Sequence, residues 1–209
     1  TDRISSLRDI PNKVIPHGVD PSFVNYKVKP NKISKVTKIL YVSTIDLYKH
    51  QWKVVSAVSL LRKEGFALEL SLVGSSYSKA LEKLNKIIKQ EDPNGDFIKY
   101  EGSVEYKDLP TCYKEADIFV FASTCENLPI TLLEAMASHL PIACSRKNPM
   151  TDILKDAGTF FDPESVSSIK GSLKYLLKKP EISYKLSEMA SKYAQNYTWE
   201  KCSYETLSF

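Results

Sequence analysis

From Lys38 onward, short aliphatic, β-branched and aromatic runs alternate with longer stretches whose apolar residues recur at helical spacing. That alternation leaves few folds open, because strands separated by helices pair in parallel and need helices on both faces of the sheet. KILYVST (38–44) reads as a first strand. Gln51 to Glu64 follows with Val54, Val55, Val58 and Leu61 on one helical face, and Gly65 supplies the stop. ALELSLVG (67–74) is a second strand, and its helix carries Ala80, Leu81, Leu84, Ile87 and Ile88 on one side. DPNGD (92–96) turns the chain into a third strand, FIKYEG, after which Asp108 is placed to cap a short helix through Ala116. DIFVFAS (117–123) is apolar almost throughout, as a strand covered on both faces would be. A helix, the strand PIACS and a short sixth strand in GTFFDP (158–163) come next. Two helices follow, one with Val166, Ile169, Leu173 and Leu176, the next with Ile182, Leu186, Met189 and Tyr193, and YTWEKCSYETLSF reads as a last helical segment. The expected fold is α/β, a Rossmann-like parallel sheet flanked by helices on both faces. Ligands of such sheets sit outside the carboxyl ends of the strands, where Ser43, Gly74, Gly102, Ser123 and Ser145 fall.

With 209 residues, the chain is long enough for one sizeable core. Its net charge of +4, from 29 basic and 25 acidic residues, is too small and too scattered to suggest nucleic acid as a partner. Cys112, Cys125, Cys144 and Cys202 show no metal-ligand spacing and suit reduced thiols in a cytoplasmic protein. No apolar run is long enough to span a bilayer, and TDRISSLRDIPNK has no signal-peptide core; it reads like the middle of a longer protein.

The chemistry is narrowed by what is missing. Seven glycines include no GxGxxG and no P-loop, and no DxD is present, which argues against a sugar transferase that holds its nucleotide through a divalent metal. His17, His50 and His139 are isolated, so no metal site is expected. CENLPITLLEAMASHLPIACS (125–145) instead sets Glu126 in a loop before a helix and Glu134 eight residues on, about two turns away. Both could accept hydrogen bonds from the hydroxyls of one ligand. The plain alternative is that acids are favourable near a helix start, and that Glu134, lying toward Thr131 and Ser138 on a helical wheel, faces solvent. Between them the helix start offers the amides of Asn127, Leu128, Ile130 and Thr131 to an anion; Pro129 has none to offer.

These features together resemble the C-terminal half of the family 4 retaining glycosyltransferases (glycosyl transferases group 1), which have the GT-B fold. The resemblance runs from VIPHGVD (14–20) nearly to the end. It rests on E-x7-E at Glu126 and Glu134, on LEAMAS and LPIACS beside it, on YVSTIDLYKHQ after the first strand, and on LVG after the second. It implies that Glu126 holds the donor sugar and that Glu134 accepts from both ribose hydroxyls. Lys49 would clamp the leaving diphosphate, with Thr44 and Gly74 nearby and the base held near Gly102 and Val104. Thr44 stands where the family has Arg, and Ser43 and His50 replace glycines, so the clamp is one charge short. Either Arg146 or Lys147 compensates, or Thr44 and backbone amides bind the phosphate. His139 stands at the helix end where the family often has Gly, and suits a left-handed cap. Cys125 has no partner base and reads as a small loop residue.

The resulting expectation assigns residues 1–37 to an interdomain segment, 38–197 to a nucleotide-sugar-binding domain, and 198–209 to a C-terminal helix that is cut short. The function expected is metal-independent transfer, with retention, of a sugar from a nucleotide diphosphate donor to a glycan or lipid-linked acceptor. An N-terminal acceptor domain absent from this chain would complete a cytoplasmic enzyme that can sit peripherally at the inner face of the membrane. A nucleotide-sugar epimerase of the same fold and a degenerate, non-catalytic binding domain are the alternatives. A receiver-like domain would need an acidic cluster where Asp46 stands alone.

Overall fold

The computed structural model describes residues 12–24 and 36–209; the remainder of the interdomain segment expected over 1–37 lies outside them. Six parallel strands form one sheet: β1 (Thr37–Val42), β2 (Leu68–Val73), β3 (Ile98–Gly102), β4 (Ile118–Phe121), β5 (Ile142–Ser145) and β6 (Thr159–Phe161). Their order is β3-β2-β1-β4-β5-β6. Ile39 sits in register with Leu70 on one side and Ile118 on the other. The chain thus reverses its direction of winding between β1 and β4, and the crevice over their carboxyl ends is the topological switch point where open α/β sheets bind ligands.

The helices are α1 (Gln51–Lys63), α2 (Ser78–Glu91), α3 (Leu109–Glu115), α4 (Ile130–Ala137), α5 (Met150–Leu154), α6 (Val166–Lys178), α7 (Pro180–Ala194) and α8 (Trp199–Leu207). Helix α1 packs between α2 and α6, while α4 packs on α7 and α5. The apolar stripe read from α1 is fully buried at Val54, Val55, Val58 and Leu61. The central strands β4 and β5 are buried at every position, as strands covered on both faces must be. None of the helices among the described residues is long and apolar enough to cross a membrane.

Helix ends follow the sequence closely. Gly65, at φ +95°, ends α1 with Phe66 N–H donating to Leu61 (3.2 Å) and Gly65 N–H to Arg62 (2.9 Å). His139 ends α4 the same way at φ +55°, with Leu140 donating to Ala135 and His139 to Met136, both at 3.2 Å. The expected Asp108 cap is not made. A 3-10 turn, Tyr106–Asp108, runs straight into α3, so Asp108 already has helical dihedrals and its side chain caps nothing. The short helix α5 had no periodic pattern long enough to announce it.

Candidate functional site

The loop after β1 is built to present a lysine. Gln51, at the start of α1, donates from its amide to Ser43 Oγ and to the Thr44 carbonyl, both at 2.9 Å. Asp46 caps a 3-10 turn, Leu47–Lys49, by accepting from the Leu47 amide (2.6 Å), and His50 at φ +53° turns the chain into α1. Lys49 is left buried at the crevice, its ammonium 5.1 Å from the Tyr48 ring centroid and 5.2 Å from that of Phe121. Such cation–π contacts hold a desolvated cation at modest cost.

The loop after β4 docks against this turn. Thr124 donates through its amide (2.9 Å) and its hydroxyl (3.1 Å) to the Tyr48 carbonyl, while Ser145 Oγ ties the Ser123 carbonyl to β5 (2.6 Å). This brings Glu126 to Lys49, whose Nζ donates to Glu126 Oε1 as a shielded ion pair. The two side chains that were 77 positions apart in sequence meet over the switch point. An ammonium has three donors, so the pair leaves two for an anion.

Helix α4 starts at the same mouth. Pro129 occupies its cap position without a capping side chain, and its carbonyl accepts from Leu132 (3.0 Å) and Leu133 (3.3 Å). The amides of Asn127, Leu128, Ile130 and Thr131 donate to no acceptor among the described residues. Free amides at a helix start attract anions. Glu134 lies on the first turns of α4, and here the solvated-face alternative fails: it is 3% exposed, because α4 is wrapped by α3, α7 and the segment 19–24. Its Oε2 accepts from the hydroxyl of Tyr113 at 2.8 Å. Burial raises its pKa above the ordinary glutamate value; the Tyr113 bond opposes this and the charge of Asp20 adds to it.

The remaining candidates divide. Thr44 Oγ1 lies 3.2 Å from Ser75 Oγ, linking the loops after β1 and β2. Gly74 has φ +141°, and a Cβ there would lie 2.2 Å from the Ser43 carbonyl oxygen. The close approach that demands glycine is therefore made by the Ser43 backbone, just past the end of β1. Gly102, at φ +69°, faces open space, and Val104 beside it is half-buried. Arg146 and Lys147 are exposed and line a cleft with Phe160, Asp162 and Ser168 on the β6 side of the sheet. Cys125 is exposed with a free thiol, and Cys144 is buried. No cluster of three His, Cys, Asp or Glu side chains suited to a metal occurs among the described residues.

Two tyrosines that the sequence reading passed over complete the site. Tyr41, fully buried in β1, accepts from the Ala122 amide (3.1 Å) and donates to the Lys49 carbonyl (2.6 Å), bridging the loops that carry Lys49 and Glu126. Tyr113 does the corresponding service for Glu134. Both sit in apolar surroundings that read as plain core; the available signal was that a buried phenol must find a polar partner.

Comparison with known proteins bears on the family and the fold. A profile of the glycosyl transferases group 1 family matches residues 23–197. The O-antigen chain mannosyltransferase B of Escherichia coli is 26% identical over 169 residues, covering 81% of this chain and 44% of that protein. The C-terminal domain of a glycosyl transferase group 1 family protein from Francisella tularensis superposes with a TM-score of 0.68 at 21% identity, over 77% of this chain and 85% of that domain. The Anabaena protein HepE, solved with UDP and glucose, gives a TM-score of 0.79 at 17% identity, over 94% of this chain and 57% of that one. This chain spans half or less of the length of the E. coli protein and of several other relatives. Its six-stranded sheet and flanking helices are the Rossmann-like half of the GT-B architecture, and the chain belongs to the glycosyl transferases group 1 family.

Proposed function

We propose that this chain is the donor-binding half of a retaining, metal-independent glycosyltransferase that moves a sugar from a nucleoside diphosphate to a glycan or lipid-linked acceptor. The observation that carries the proposal is the convergence at the switch point of the Lys49–Glu126 pair with four unpartnered amides at the start of α4. In this reading the diphosphate lies over Asn127, Leu128, Ile130 and Thr131. Lys49 adds the charge that stabilises it as it leaves, with Thr44 in place of a second cation. Glu126 receives the hydroxyls of the donor sugar, and Glu134, farther along α4, receives the ribose. Gly102, with open space before it, and Val104 lie where the base would rest; Gly74 shapes the adjoining loop. The bound UDP and glucose of the Anabaena structure fit this assignment of ligand class. The acceptor would be supplied by an N-terminal domain, which would also close the cleft and exclude water. A lipid-linked acceptor would bring the whole protein to a membrane face.

Calorimetric titration of this chain with UDP, GDP and ADP in the presence of a chelator tests the reading. Saturable binding of one diphosphate that Glu134→Ala weakens about tenfold or more is expected, the scale of a lost hydrogen-bonded charge. Binding that requires a divalent cation, or that ignores Glu134→Ala, would contradict it.

A further inference from the structure

Glu134 is nearly sealed, yet its two oxygens differ. Oε2 accepts from Tyr113; Oε1 accepts from no described residue and is not closed off from solvent. The Tyr113 ring has no freedom to choose another geometry. It is fully buried in α3, stacked on Phe119 at a centroid distance of 5.7 Å and met edge-on by Phe23 at 5.4 Å. Its hydroxyl also lies 3.2 Å from the Thr131 carbonyl, but it has one proton, and the charged acceptor at 2.8 Å is the stronger partner.

We propose that Tyr113 is the positioning residue for nucleotide recognition: by donating to Oε2 it fixes the Glu134 carboxylate so that Oε1 faces the ribose. The proposal rests on the ribose role given to Glu134 above. It explains why a carboxylate is kept in an apolar setting at all, since an acceptor locked in place needs no reordering when the ligand arrives. Charge follows the same contact. The titratable groups facing Glu134 are Tyr113 of α3, Tyr106 of the turn before α3, and Asp20 of the N-terminal segment. Burial and Asp20 both favour the protonated acid, and among these groups only the Tyr113 hydroxyl favours the ionised form.

Tyr113→Phe removes that donor and little else. In the free chain, ¹³C NMR of the Glu134 carboxyl is expected to titrate at higher pH in Tyr113→Phe than in the unmodified chain. UDP, GDP and ADP titrations from pH 5.5 to 8.5 complete the test. For whichever of the three binds, Tyr113→Phe should weaken affinity about tenfold near neutrality, the scale of one hydrogen bond to a charge. The pH at which binding is half lost should also move upward, whereas Glu134→Gln should bind weakly and keep only the pH dependence of the nucleotide's own terminal phosphate, which titrates at about pH 6. An unmoved carboxyl titration, or an unmoved binding profile with only a lower melting temperature, would overturn the positioning role. If Glu134→Gln binds as well as the unmodified chain, the ribose assignment itself falls, and the positioning role falls with it.

Discussion

Lys49 and Glu126 meet with side-chain exposures of 9% and 13%, so neither charge has much water to fall back on. Removing one partner from such a pair strands the other, which is costlier than removing both. Glu126→Gln is expected to destabilise the free chain by about 2 kcal/mol. The Lys49→Met/Glu126→Gln double variant should cost clearly less than the sum of the singles in a urea-denaturation cycle. Strictly additive costs would show that the two groups are not coupled. Glu126 was legible in the sequence through its spacing to Glu134, whereas Lys49 was marked only by the resemblance of YVSTIDLYKHQ to the family's loop and taken alone reads as a surface lysine. Tyr41 and Tyr113 were not legible. A tyrosine inside an apolar run reads as core, and its partner is set by contacts across 81 and 21 positions that no local pattern records.

At the scale of elements, what the sequence states well are the starts and stops imposed by local chemistry. Gly65 and His139 end α1 and α4 because both adopt the left-handed conformation required there. The DPNGD turn also holds, for a reason hidden in the sequence. The Asp92 carboxylate accepts from the amides of Asp96 (2.8 Å), Phe97 (2.9 Å) and Ile98 (2.8 Å), tying the end of α2 to the start of β3. Burial works to raise its pKa, and the three amides outweigh burial and hold it below the usual aspartate value. A depressed carboxylate contributes stability above its unfolded pKa of about 3.9, and that contribution is lost as pH falls through its folded value. Asp92→Asn should therefore cost about 2–3 kcal/mol at pH 7 and less at pH 3, as thermal unfolding at the two pH values would report. An equal cost at both would place the effect in packing. Asp108 failed as a cap for a complementary reason: the preceding 3-10 turn had already made its backbone helical, leaving no open first turn to cap.

For the whole molecule, the alternation of strands and helices gave the layers but not the strand order. That β4 pairs with β1, and not with β3, depends on crossovers closing over the sheet, and this placement alone turns scattered loops into one crevice. Lys49, Glu126 and the start of α4 come together there, whereas Arg146 and Lys147 stand toward β6. The central claim is that a nucleoside diphosphate binds over β1 and β4. Amide ¹⁵N NMR of the chain during titration with UDP, GDP and ADP tests it most directly. The account predicts that the largest shifts fall on Thr44, Lys49, Leu128, Ile130 and Thr131 and track saturation together. Shifts centred on Arg146, Lys147 and Asp162, or none at the start of α4, would contradict it.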